Sequence, residues 1–180
     1  MTARKPRRAA PPLNEASLRE LALRYVGRFA TTRAKLRFYL SRKVRERGWS
    51  GPAEPDLTAL VMQFSEQGYV DDSDYALAKA RALSARGYGK RRLTQQLRAA
   101  GVEEPDSVSA RELSDGEALT AAMRFARRRR IGPFAASPAT PEQREKAIAA
   151  MIRAGHDFAL ARTIASLAPD AAIDLPGMDP

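Results

Sequence analysis

The sequence predicts an all-α protein built as three tandem three-helix repeats forming an elongated, curved molecule, and three observations carry that expectation. Polar–apolar periodic stretches rich in Leu, Ala, Arg and Glu fill most of the 180 residues, with Gly and Pro clustered between them. Runs of Val, Ile and Thr alternating with polar residues, the mark of half-buried strands, are missing. Lastly, KVRERGW (43–49), QLRAAGV (96–102) and AMIRAGH (150–156) each place an apolar residue four positions before a glycine, and those glycines, Gly48, Gly101 and Gly155, lie 53 and 54 residues apart.

The first repeat, 17–68, is read as helices near 17–29, 32–47 and 55–67, with SGPAEP at 50–55 as a turn. Leu36, Tyr39, Leu40 and Val44 share one side of its middle helix, whereas Lys35, Phe38, Arg42 and Arg45 project elsewhere. The second, 69–114, is read as helices near 71–86, 90–100 and 104–114, with Leu93, Leu97 and Ala100 inward and Arg91, Gln95 and Arg98 outward. The third, 115–168, is read as helices near 115–130, 141–154 and 157–168, with a proline-punctuated loop, IGPFAASPATP, between the first two. Its middle helix buries Ala147, Ile148, Met151 and Ile152. Gly48, Gly101 and Gly155 stop the three middle helices, because glycine enters the left-handed C′ conformation without a Cβ penalty. Tails at 1–16 and 169–180 are expected to be disordered, the first of them basic.

Without cysteine the chain has no disulfide and no thiolate metal site, and no window approaches the roughly 18 apolar residues of a membrane span. A soluble, cytoplasmic monomer is the expectation. The net charge of +10 is uneven: residues 1–50 hold 14 Lys or Arg against three acids, and residues 151–180 hold two against four. Such asymmetry points to a polyanionic partner, either nucleic acid or an acidic protein surface.

The stretch YVDDSDYA (69–76) offers a candidate metal or catalytic site in Asp71, Asp72 and Asp74. An Asp-capped helix start explains it better. Asp71 precedes a helical stripe of Tyr75, Ala78 and Ala82 and can accept from an orphan backbone N–H, while Asp72 and Asp74 meet the positive helix end. A calcium loop would need a Gly and a later Glu that are absent. His156, the only histidine, reads as a turn or packing residue, and Trp49 as a cover for the adjoining core. No phosphate-binding glycine loop or nucleophile elbow occurs, so neither an enzymatic activity nor a cofactor is expected. Arg127, Arg128, Arg129 and Arg130 complement the negative end of a helix and also offer contact to nucleic acid or an acidic protein. The N-terminal RKPRR is a less selective basic segment.

The segment GYVDDSDYALAKARALSARGYGKRRLTQQLRAAGV (68–102) resembles the central signature of the RecX family, bacterial regulators of the recombinase RecA. ATTRAKLRFYLSRKV resembles the first-repeat motif, with Thr32 where Ser is usual and Lys35 where Glu is frequent. REKAIAAMIRAGHDFALARTIASL (144–167) is similar to the third-repeat helix pair. The resemblance implies a non-enzymatic modulator that lodges in the groove of the RecA–single-stranded DNA filament and hinders ATP turnover, strand exchange and SOS-repressor cleavage. On that basis Lys35, Arg42, Arg45, Arg91 and Arg98 are candidates for the surface that meets RecA or DNA. An independent DNA-binding helical protein, taking single- or double-stranded DNA as its ligand, is the alternative. A metal-dependent enzyme using the aspartates is a third reading.

Overall fold

The computed structural model describes residues 11–171. Among these, nine α-helices follow one another: α1 (Glu15–Val26), α2 (Arg33–Arg47), α3 (Leu57–Glu66), α4 (Asp72–Ala85), α5 (Lys90–Ala99), α6 (Val108–Gly116), α7 (Ala118–Arg129), α8 (Pro141–Arg153) and α9 (Phe158–Ser166). The described residues contain no strand, only an isolated parallel bridge between Leu13 and Trp49. The fold is all-α, with its helices in three successive trios. The chain separates into two compact units, one ending at Asp72 and one beginning at Ser73.

In the first unit, side chains set the helix starts. Asn14 and Ser17 form a reciprocal capping box for α1, Thr32 accepts from the Lys35 N–H for α2, and Asp56 accepts from the Ala59 N–H for α3. Each satisfies a donor that the helix itself cannot. Leu18 and Ala22 of α1, Leu36 and Leu40 of α2, and Val61 and Phe64 of α3 close a common core with Val70. Full burial of each Leu or Phe contributes about 1.5–3 kcal/mol.

The N-terminal stretch differs from the expected tail. Leu13 is fully buried in this core, its N–H donates to Gly48 O at 2.9 Å, and its carbonyl accepts from the Ser50 N–H at 2.8 Å. Polar and proline-rich surroundings masked one anchoring leucine, and order begins well before residue 17. Residues 1–10, which include RKPRR, lie outside the described residues, as do residues 172–180 of the second expected tail.

The second unit holds two cores. Ala76, Ala80 and Leu83 of α4 meet Leu93 and Leu97 of α5 and Ala110 of α6. Phe125 and neighbours on α7 meet Met151 of α8 and Ile164 of α9. Tyr88 packs against both. The buried stripe of α4 is Ala76, Ala80 and Leu83, whereas Ala78 and Ala82 are exposed. The expected stripe of Tyr75, Ala78 and Ala82 was displaced because alanines surround this helix, leaving hydrophobic periodicity with little to distinguish its faces. A 3-10 turn, Pro105–Ser107, delays α6 past its expected start at 104.

Candidate functional site

The aspartates of YVDDSDYA part company in three dimensions. Asp71 is exposed just ahead of α4, and Asp74 is exposed within its first turn. Asp72, the last residue of the first unit, is buried, and its carboxylate accepts from the Arg33 backbone N–H at 2.9 Å and from Arg33 Nε at 3.4 Å. It therefore caps α2, a helix 39 residues earlier, beside the Thr32 cap. Among the described residues no three of His, Asp and Glu gather into a group that could hold a metal ion.

The three repeated glycines all adopt positive φ: 79° at Gly48, 71° at Gly101 and 98° at Gly155. Gly155 has a further task. Its carbonyl accepts from the Arg91 N–H at 3.1 Å, the Gly89 N–H donates to Ala154 O at 3.0 Å, and a Cβ on Gly155 would sit 2.5 Å from the Arg92 nitrogen. The turn after α8 and the start of α5 thus cross backbone to backbone, which only glycine permits.

On α2, Arg42 and Arg45 are exposed and Lys35 is half-buried. Arg42 Nε lies 3.6 Å from Glu46, and Lys43 Nζ lies 2.6 Å from the same carboxylate. The Lys43 hydrogen bond holds the Glu46 carboxyl below its ordinary value. On α5, Arg91 and Arg98 are exposed, with Arg91 Nη2 3.9 Å from Asp157. Surface pairs of this kind contribute about 0–1 kcal/mol.

The run Arg127–Arg130 is exposed and fans out around the end of α7. Arg127 lies over the Phe134 ring, 5.1 Å from its centroid, and Arg130 terminates the helix in the left-handed conformation at φ 54° and ψ 50°. Arg128 donates to Arg86 O at 2.7 Å and lies 5.5 Å from the Phe125 centroid, with Arg129 at 5.9 Å. Arg128 and Arg129 thereby enter an open cleft of about 660 Å³ that Arg86, Arg92 and Arg153 also line. Tyr88 carries Arg86 at 5.4 Å and Arg92 at 5.8 Å from its ring centre. Sequence reasoning missed Arg86, Arg92 and Arg153. Arg86 immediately precedes the GYG of the α4–α5 turn, Arg92 follows it by three residues and Arg153 precedes Ala154–Gly155, so the available signal was arginines close to each tightly packed glycine turn.

Below this cleft His156 is buried, with Nε2 3.1 Å from Gly87 O and its ring centre 5.6 Å from that of Phe125. Burial lowers its pKa, and the Gly87 bond opposes the shift only in part. Trp49 packs against the first unit's core while its Nε1 donates to Ala53 O at 2.6 Å. No described helix is long and apolar enough to cross a membrane.

These features define an all-α protein of successive three-helix units with arginine-rich surfaces. Residues 71–107 match the family profile described as RecX, second three-helix domain. The regulatory protein RecX of Myxococcus xanthus (strain DK1622) is 34% identical over 171 residues, covering 89% of this chain and 88% of that one. The regulatory protein RecX of Mycobacterium sp. (strain JLS) is 38% identical over 109 residues, covering 59% of this chain and 56% of its own. The fold is also that of the crystal structure of RecX from Lactobacillus salivarius, with a TM-score of 0.61 at 16% identity over 83% of this chain and 92% of that one. The chain belongs to the RecX family of regulatory proteins.

Proposed function

We propose that the protein is a non-enzymatic, cytoplasmic and monomeric regulator of recombination and the SOS response. It binds the RecA filament on single-stranded DNA and inhibits its ATPase, strand-exchange and coprotease activities. The observation that carries this reading is the 34% identity to a RecX regulatory protein along nearly the whole of both chains. Repeats at 17–68, 69–114 and 115–168 supply the contacting elements. Lys35, Arg42 and Arg45 of the first unit, and Arg91, Arg98 and Arg127–Arg130 of the second, are its partner-facing cations. Exposed arginines suit DNA phosphates and recombinase carboxylates alike, steering encounter and fixing register.

The test is RecA ATPase on excess single-stranded DNA with the purified protein titrated in. Inhibition well below one protein per RecA is expected, which competition for free DNA cannot produce. Charge reversal of Lys35, Arg42, Arg45, Arg91 and Arg98 is expected to weaken it at moderate salt. Wild-type protein with no effect on the ATPase would sink the regulator reading. The second reading, an independent nucleic-acid-binding protein, is favoured by one observation, the convergence of five arginines on one cleft.

A further inference from the structure

Five guanidinium groups, those of Arg86, Arg92, Arg128, Arg129 and Arg153, line one cleft within the second unit, and no carboxylate lines it. Among the described residues none of the five pairs with a carboxylate. They arrive from four segments: the turn after α4, the first turn of α5, the end of α7 and the end of α8. Four of them have a local electrostatic reason to be there, since Arg86, Arg128, Arg129 and Arg153 stand at helix C-termini, whose partial negative charge favours cations.

Arg92 breaks that pattern. It lies in the first turn of α5, at the positive end of a helix whose opening residues are Lys90, Arg91 and Arg92 with no acid among them. Lys90 is relieved by Asp115 at 2.5 Å and Arg91 by Asp157 at 3.9 Å. Arg92 instead turns into the cleft over Tyr88, held there by the Gly89–Gly155 crossing. A cation placed against the helix dipole and beside four others is unfavourable until an anion joins it. Concave walls concentrate the field that would draw that anion in.

We propose that this cleft is a phosphate-binding site that takes consecutive phosphates of a single-stranded nucleic-acid backbone. All five cations are arginine, whose planar fork matches two phosphate oxygens at once. At about 660 Å³ the cleft has room for more than one phosphate group. Arg86 and Arg92 lie over the Tyr88 ring and Arg128 and Arg129 over the Phe125 ring, so the lining offers cations from more than one segment to a strand seated in the cleft. The proposal deepens the regulator reading by giving the nucleic-acid contact a place, but it does not need RecA to be true.

The test is fluorescence anisotropy of a labelled single-stranded oligonucleotide against the full chain, over a range of salt and without RecA. Arg86→Gln/Arg92→Gln/Arg153→Gln is compared with Arg24→Gln/Arg111→Gln/Arg162→Gln, which removes equal charge elsewhere, and both are checked for folding by circular dichroism. The cleft variant is expected to lose about tenfold or more in affinity, and its log–log salt slope to become shallower by about 2, at roughly 0.7 per lost phosphate contact. Equal losses in the two variants would mean a diffuse field and overturn the site. Unchanged oligonucleotide binding in the cleft variant overturns it too. If inorganic tripolyphosphate then binds wild type but not that variant, the ligand is a free oligophosphate. If RecA ATPase inhibition is lost instead, the cleft meets protein carboxylates. Failure of wild type to inhibit RecA would leave the anisotropy result standing.

Discussion

Asp72 and His156 carry the residue-scale consequences, because each is a polar group buried with one defined backbone partner. Replacing Asp72 with Ala strips the Arg33 N–H of its acceptor and leaves the Arg33 guanidinium without its buried carboxylate. Loss of about 1–3 kcal/mol is expected, read from the urea midpoint. Asp71→Ala, at an exposed position, serves as the comparison and is expected to lose less. A metal-site role would instead abolish an activity with the fold retained. For His156 the sign follows from the lowered pKa. The folded protein binds the proton less readily than the unfolded chain, whose ordinary value is 6.5. The stability contributed by the neutral ring is complete above that value and is lost as pH falls toward the lowered folded value. The thermal midpoint is therefore expected to drop between about pH 7 and 5, with a shallower drop in His156→Gln, which cannot titrate. Identical slopes in the two proteins would show that His156 does not govern this window.

At the scale of elements, positive-φ glycines that follow helices do two different jobs with one residue type. Gly68 has φ of 75° with no atom within 4 Å of a built Cβ, so Gly68→Ala meets only the left-handed penalty, about 1–2 kcal/mol. Gly155 has φ of 98° and backbone atoms of Arg92 and Gly89 within 3 Å of a built Cβ. Gly155→Ala is expected to destabilise the second unit by clearly more than Gly68→Ala does the first, measured by denaturant unfolding. Because the same crossing aims Arg92, it is also expected to weaken any anion contact at the cleft. Equal costs at the two positions would mean that the crossing relaxes freely.

On the scale of the whole molecule, a net charge of +10 divides among surfaces on both units, with pairs such as Arg42–Glu46 and Arg91–Asp157 left in water, where salt screens them. The proposed inhibition of RecA, if carried by these exposed arginines, is accordingly expected to weaken as salt rises, without the steep slope of pure phosphate binding. The helices themselves were legible mainly from local caps, glycine ends and turn residues, whereas the face of α4 and the start of α6 were not. Asn14 and Thr140 cap boxes, and Gly48, Gly101 and Gly155 ends, are local features. So was the family resemblance, concentrated in residues 68–102, because a capped helix, a glycine turn and a basic helix keep their spacing along the chain.

The sequence by itself therefore determined the helical class, the order of the trios, the outward arginines of α2 and α5, and the run at 127–130. Those depend on interactions within a few residues. Only the tertiary structure decided that Leu13 belongs to the core, that Asp72 caps a helix 39 residues away, and that Arg86, Arg92 and Arg153 join Arg128 and Arg129 around one cleft. Each of these brings together residues distant in the chain, through backbone crossings such as Gly89–Gly155 that leave no periodic trace. Charge along a sequence adds up residue by residue, but a binding field depends on where the folded backbone makes those charges converge.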